Sequence, residues 1–270
     1  MNGRPFFQSA EQSSPMESTE SKISFRGVRK RYDTNLVLDR VDLELKENSF
    51  TCLLGPSGCG KSTLLNIVAG FAMPTEGEVY VDGNAVNGPN ADRGVVFQEY
   101  ALFPWLTSLD NVAFGPALKG WPKAKRQEIA TKYLSLVGLS GHENKYPGSL
   151  SGGMKQRVAI ARALANNPSV LLMDEPFGAL DAQTRETLQE ELLGIWNRER
   201  KTLIFVTHSI SEAIFLADRV VVMRTKPGGV KEVIDIDLPH PRERTNLEFV
   251  RLEYHIKQLL RDEVKKLGVI

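Results

Sequence analysis

"FTCLLGPSGCGKSTLLNIVAG" (Phe50–Gly70) runs from an apolar stretch straight into a glycine-rich loop, then into a second apolar stretch that ends in glycine. The order reads as strand, loop and helix, with Gly70 closing the helix. The loop fits G-x-x-x-x-G-K-[ST] in full, and a strand before it and a helix after it are the context that pattern requires. Consecutive backbone N–H groups at a helix N-terminus bind phosphate, because unpaired donors and the helix dipole both favour negative charge. Gly55, Pro56, Ser57, Gly58, Cys59, Gly60, Lys61, Ser62 and Thr63 are therefore the expected phosphate cradle, its glycines allowing close approach of the backbone. Lys61 is placed to reach the β- and γ-phosphates of a nucleotide, and Ser62 to coordinate Mg²⁺.

The texture on either side differs. Between Ile23 and Val86 the segments are short and partly alternating. "VDLEL" (Val41–Leu45) places its apolar residues on one face, as a half-buried strand does, and "GEVYVDG" (Gly77–Gly83) is a strand with turn residues at both ends. Near Gln98 the pattern turns helical. Ile129, Tyr133, Leu136 and Val137 share one helix face, in a helix that opens near Pro122, and a further helix is expected just after Ser151. From Ser169 the α/β alternation returns. "VLLMD", "TLIFVTH" and "RVVVM" are continuous apolar runs, as strands covered on both faces tend to be. Leu188, Leu192, Ile195 and Trp196 mark a helix between the first two, and Leu252, Ile256, Leu259, Leu260 and Val264 mark one near the end.

The 270 residues suffice for one large domain, or one with a subdomain. Net charge is +1, so no global field recruits nucleic acid or anionic lipid. Cys52 and Cys59 have neither the number nor the spacing of a metal site or disulfide framework, and read as reduced cytoplasmic thiols. No signal peptide is expected, and no stretch approaches the roughly 18 apolar residues of a spanning helix.

"VLLMDEP" (Val170–Pro176) ends an apolar strand on two acids. Asp174 falls where α/β sheets place ligand groups, and is expected to hold Mg²⁺ through water. Glu175 is placed to orient or deprotonate an attacking water. Helix capping is the alternative role for this pair. A second glycine-rich stretch, "LSGGMKQR" (Leu150–Arg157), poses a separate question, because a nucleotide needs only one phosphate loop.

Taken in order, these stretches resemble the ATP-binding subunits of ABC transporters, over nearly the whole chain after its tail. "LSGGMKQR" matches that family's signature, Gln98 in "VVFQEY" its Q-loop, Asp181 in "GALD" its D-loop and His208 in "FVTHS" its switch histidine. Tyr32 lies 23 residues before Gly55, where the family places an aromatic that stacks on adenine. The resemblance implies an α/β P-loop NTPase (RecA-like) core over residues 22–238. It implies an N-terminal antiparallel β subdomain; the residues themselves read as an inserted helical subdomain over about 98–165, a disordered tail over 1–21, rich in Ser, Glu and Gln, and a C-terminal helical tail over 239–270. It also implies ATP and Mg²⁺ as cofactors, Glu175, His208 and Gln98 in catalysis, and Ser62, Gln98 and Asp174 at the metal. Two copies would meet head to tail, each ATP lying between Gly55–Thr63 of one and Ser151, Gly152, Gly153 and Asp181 of the other; Asp181 is also a candidate helix N-cap.

The implied partners are a second copy, an integral-membrane permease and, indirectly, a periplasmic or lipid-anchored solute-binding protein, with no nucleic acid. The implied location is peripheral, on the cytoplasmic face of the bacterial inner membrane. "LFPWLTSLDNV" and the ending after Pro239 resemble the importer branch for nitrate, aliphatic sulfonates and taurine. Phe103 and Trp105 flank Pro104 there, and either line a permease groove or pack in the core. The alternatives are an ABC-type ATPase driving a non-import process, import of an unrelated small solute, and an ATP-binding scaffold without turnover. A single cassette with a short insertion argues against the DNA-repair and translation-associated members, and the presence of both Glu175 and His208 argues against the scaffold.

Overall fold

A computed structural model describes residues 21–266, with side chains as far as Glu263. Of the tail expected over residues 1–21 only Ser21 falls among them, and the side chain of Val264 falls outside. Strands β1 (Ser21–Tyr32) and β2 (Asn35–Lys46) form a hairpin of two 12-residue arms. The expectation of short segments fails here, because register shifts between Phe25 and Val28, around Gly27 with φ 58°, break the alternation and make one long strand read as fragments. Along β2 the pattern is clean: Val41, Leu43 and Leu45 are buried and the residues between them exposed.

Strand β3 (Phe50–Leu54) leads through the loop to α1 (Lys61–Ala69). Gly70 ends that helix at φ 79°, and a Cβ there would collide with the carbonyl of Gly88, so the stop needs glycine on both counts. Strands β4 (Glu76–Val81), β5 (Asn84–Ala85) and β6 (Arg93–Val96) precede three helices, α2 (Ser108–Leu118), α3 (Lys123–Leu136) and α4 (Gly152–Leu164). The chain returns through β7 (Val170–Asp174), α5 (Ala182–Glu199), β8 (Thr202–Thr207), α6 (Ile210–Leu216), β9 (Arg219–Arg224), β10 (Gly229–Asp235) and α7 (Leu247–Lys266).

Two sheets result. One is antiparallel, in the order β2-β1-β4-β5; the other is six-stranded, in the order β10-β9-β3-β8-β7-β6, parallel except at the β10 edge. The continuous apolar runs are explained by the two faces of the six-stranded sheet. Phe50, Cys52, Leu54, Leu171, Met173, Leu203 and Phe205 join one core, shared with α2 to α7. The residues between them, Leu53, Val170, Leu172, Ile204 and Val206, join the other, shared with α1 and the antiparallel sheet. A period of two thus feeds two cores, and the few polar strand residues, such as Thr51 and Thr202, are buried among the apolar ones.

Helix α7 is packed rather than appended. Phe249 and Ile256 are fully buried in the core that includes α6. Ahead of it, Arg242 donates to the carbonyls of Ile214 (2.6 Å) and Ala217 (2.7 Å) at the end of α6, and burial pulls its pKa down to about 10.

Candidate nucleotide site

Three strand ends stand level at one edge of the parallel sheet. Leu54 of β3 pairs with Thr207 of β8, and Asp174 of β7 pairs with Val206 of the same strand. The phosphate loop, the Asp174–Glu175 pair and His208 therefore emerge side by side.

Within the loop, Gly58 and Gly60 take φ values of 79° and 93°, and a Cβ on Gly60 would press into Leu38 of β2. Lys61 is only 5% exposed; its ammonium donates to the carbonyls of Gly55 (2.7 Å) and Pro56 (3.1 Å) and so stays inside the loop. Cys59 is buried beside it, and burial pushes its thiol up, leaving it a neutral wall residue. The hydroxyl of Ser62, at the start of α1, donates to Asp174 Oδ1 at 3.0 Å. Burial raises the Asp174 pKa, with the Ser62 bond opposing, so a cation would relieve a carboxylate that its surroundings leave undercompensated. Among the described residues no cluster of three or more His, Cys, Asp or Glu could hold a metal. One hydroxyl and one carboxylate beside a phosphate loop do fit Mg²⁺, which keeps several waters and takes its other ligands from phosphate.

Glu175 follows directly at φ 42°, a left-handed conformation that costs a non-glycine residue on the order of 1–3 kcal/mol. The turn is fixed from both sides: its N–H donates to the carbonyl of Val206 (3.0 Å), and its carbonyl accepts from Gly178 N–H (3.0 Å). Glu175 Oε2 lies 3.1 Å from His208 Nδ1. A Cβ built on Gly178 would have Gln98 Nε2 at 3.5 Å and Glu175 Oε2 at 3.8 Å, so Gln98, Glu175 and His208 gather over one glycine. The two carboxyls thus face different partners, Asp174 a hydroxyl and Glu175 an imidazole.

Ser151 is the N-cap of α4, its hydroxyl accepting from Met154 N–H at 3.3 Å. Gly152 lies beneath the hydroxyl of Tyr100 and the side chain of Leu180, and a Cβ on Gly153 would come within 2.8 Å of Thr184 Cγ2. Asp181 caps α5, accepting from Thr184 N–H at 3.0 Å, and those bonds lower its pKa. Among the described residues no hydrogen bond or ion pair links Ser151–Gly153 to Gly55–Thr63. Tyr32, 47% exposed, ends β1 with the Lys30 ammonium 4.7 Å from its ring centroid.

Trp105 is 71% exposed, which removes the core-packing alternative for it. Half-buried Phe103 joins it at 5.8 Å and Phe114 at 4.4 Å, forming one surface cluster of rings. Sequence reasoning missed two supports. Arg162 of α4 donates to the carbonyls of Ala101 (2.6 Å) and Tyr100 (3.1 Å), both left-handed residues just past Gln98. Beneath His208, buried Glu212 accepts from the hydroxyl of Thr207 and from Gln189 Nε2 at 2.9 Å, tying α5 to the end of β8.

A family model described as ABC transporter matches residues 38–178. An uncharacterised ABC transporter ATP-binding protein of Methanocaldococcus jannaschii is 59% identical over 85% of this chain and 86% of its own. A bicarbonate transport ATP-binding protein of Synechocystis is 50% identical over 86% of this chain and 84% of its own. An aliphatic sulfonates import ATP-binding protein of Bacillus cereus is 47% identical over 87% and 94%. Among solved structures, a dimeric post-hydrolysis ATP-binding cassette bound to ADP and Pi matches with TM-score 0.70 and 36% identity, over 80% of this chain and all of that one.

Burial holds the Glu212 carboxyl above the ordinary carboxylate range, while Thr207 and Gln189 pull it back. A carboxyl raised in the folded state costs stability once both states ionise. The stability of the wild type relative to Glu212→Gln is thus expected to be greatest at acidic pH. It should fall as pH rises from the ordinary carboxylate value to the raised one and level off above that. Urea unfolding of both proteins across that range checks the sign, and a difference that grows with pH would contradict it.

Proposed function

Since this chain belongs to the ABC transporter family and is one of its ATPases, we propose that it powers an importer for a small anionic solute, as a homodimer beneath a separate permease on the cytoplasmic face of the bacterial inner membrane. The observation that carries this is the Glu175–His208 pair at 3.1 Å, set beside the Ser62–Asp174 pair at level strand ends. Glu175 orients the attacking water and takes its proton, and His208 holds Glu175 and the departing γ-phosphate in line. Lys61 and the loop N–H groups bind the phosphates where charge develops, and Tyr32 stacks on the adenine. Ser62, Gln98 and, through water, Asp174 would hold Mg²⁺, which would supply charge neutralisation at the phosphates.

Each ATP is shared with a second copy, whose Ser151 and following N–H groups bind the γ-phosphate, with Asp181 at the junction. Release of the cleaved γ-phosphate removes the contact that joins the copies, so hydrolysis followed by phosphate release reopens the dimer. The dimeric cassette with ADP and Pi, at 36% identity, supports this arrangement. No helix of the described residues is long and apolar enough to cross a membrane, and the cluster of Phe103, Trp105 and Phe114 is the surface offered to a permease. The relatives named for bicarbonate and aliphatic sulfonates share a small anionic cargo, which supports that class of solute, delivered by a solute-binding protein outside.

Glu175→Gln is expected to keep ATP and Mg²⁺ binding and stop hydrolysis, giving an ATP-dependent dimer that persists with Mg²⁺ on a sizing column. A chain that stays monomeric at saturating ATP, by column and by cross-linking, contradicts the shared site. Trp105→Ala is expected to impair transport while leaving soluble ATPase activity near wild type. A large fall in melting temperature with normal permease association would sink the docking role.

A further inference from the structure

The turn Thr225–Gly228 between β9 and β10 touches two parts of the molecule that no motif connects. On one side it backs onto the phosphate loop. A Cβ on Gly228 would collide with the carbonyl oxygens of Cys59 and Val37. The N–H of Gly228 donates to Val37 O at 3.0 Å, and its carbonyl accepts from Asp39 N–H at 2.8 Å. Arg224 adds a second tie, donating to Pro227 O (2.9 Å) and Asp39 O (3.0 Å). On the other side stands the far end of α7. Glu263 is fully buried; its carboxylate accepts from the backbone N–H of Thr225 at 2.9 Å and pairs with Lys231 at 3.0 Å. Lys231 also donates to Leu259 O at 2.7 Å, so α7 and β10 are joined at the same point.

The contact with Cys59 has a direct consequence. In a trans peptide the carbonyl and the N–H point in opposite directions. Gly228 packed on the carbonyl of Cys59 therefore aims the N–H of Gly60, one of the consecutive donors of the phosphate loop. Whatever fixes Gly228 fixes that donor. A buried ion pair adds little net stability over an apolar pair of similar volume, because both charges lose their hydration. Its use here is geometric.

We propose that Glu263 is a positioning residue for nucleotide binding: through Thr225–Gly228 it holds α7 against the back of the phosphate loop and sets the loop's affinity for nucleotide phosphates. The proposal rests on the nucleotide reading of Gly55–Thr63. It gives the C-terminal helix a part in the site 200 residues before it, although α7 touches no ligand.

The test uses the full chain and calorimetric titration with ADP and Mg²⁺, since ADP engages the loop without turnover. Glu263→Ala is expected to raise the Kd for ADP about fivefold or more, the effect of one mis-set hydrogen bond. Turnover at saturating ATP is expected to fall no further than the Kd rises, because the loop N–H groups hold the phosphates in the ground state as well as in the transition state. The paired variant Lys231→Met/Glu263→Met removes both charges of that pair and is expected to fold with a near-wild-type melting temperature and the same rise in Kd. Glu263→Gln keeps an acceptor for Thr225 N–H and should restore most of the affinity. Gly228→Ala should weaken ADP binding alone and add little on top of Glu263→Ala, because both act on one contact. An unchanged Kd in the folded paired variant, or additive effects of Gly228→Ala and Glu263→Ala, would overturn the proposal. A folded wild type that binds no ADP would instead overturn the nucleotide reading itself.

Discussion

The register of β3, β8 and β7 is the constraint on which the site depends. Leu54 lies opposite Thr207 and Asp174 opposite Val206, so the chain leaves all three strands at one height. A slip of one residue in any strand would send Phe50, Cys52 and Leu54, or their counterparts, to the wrong core, because alternate residues feed different cores. Burial on both faces thus sets the register, and the register sets the distance between the phosphate loop, the acids and the histidine. The pairing even continues past the end of β7, where Glu175 N–H donates to Val206 O and forces the left-handed turn that aims the Glu175 carboxylate at His208.

What the sequence made legible was local. A strand, a glycine loop and a helix adjoin within Phe50–Gly70, and the structure keeps that order. Ser151 was placed just before a helix and is its cap; Asp181 was open between interface residue and cap, and it does cap α5. Elements without a clean period were missed. Helix α2 carries Gly115 and Pro116 near its end, α6 has seven residues, and β10 is a half-exposed edge strand. Their existence is decided largely by packing rather than propensity, and the local signals they do carry are single caps, Thr107 for α2 and Ser209 for α6.

The unread part of the site is tertiary. Glu212 meets Gln189 across 23 residues of sequence, and Arg162 meets Ala101 across 61. No spacing rule announces such pairs. They share one physical role: a buried or half-buried polar group satisfies backbone or hydroxyl groups of a functional loop whose own conformation is strained or isolated. Arg162 does this for the left-handed residues after Gln98, Glu212 for the end of β8 and Glu263 for the turn behind the phosphate loop. In the proposed function the motif residues supply the chemistry, and these less conspicuous side chains hold them in place.

The two glycine stretches, Gly55–Thr63 and Ser151–Gly153, have no hydrogen bond or ion pair between them among the described residues, and in the proposed function each is completed by the other from a second copy. The direct measurement places Lys61→Ala in one subunit and Ser151→Arg in the other, with Glu175→Gln in both to stop hydrolysis, and counts ATP retained by the purified mixed dimer. Complementation across copies puts both lesions in one shared site and leaves the other intact. It predicts about one ATP per mixed dimer and almost none in either parent homodimer, since tight closure needs phosphate contacts from both sides. A mixed dimer that retains no more ATP than its parents would contradict the account.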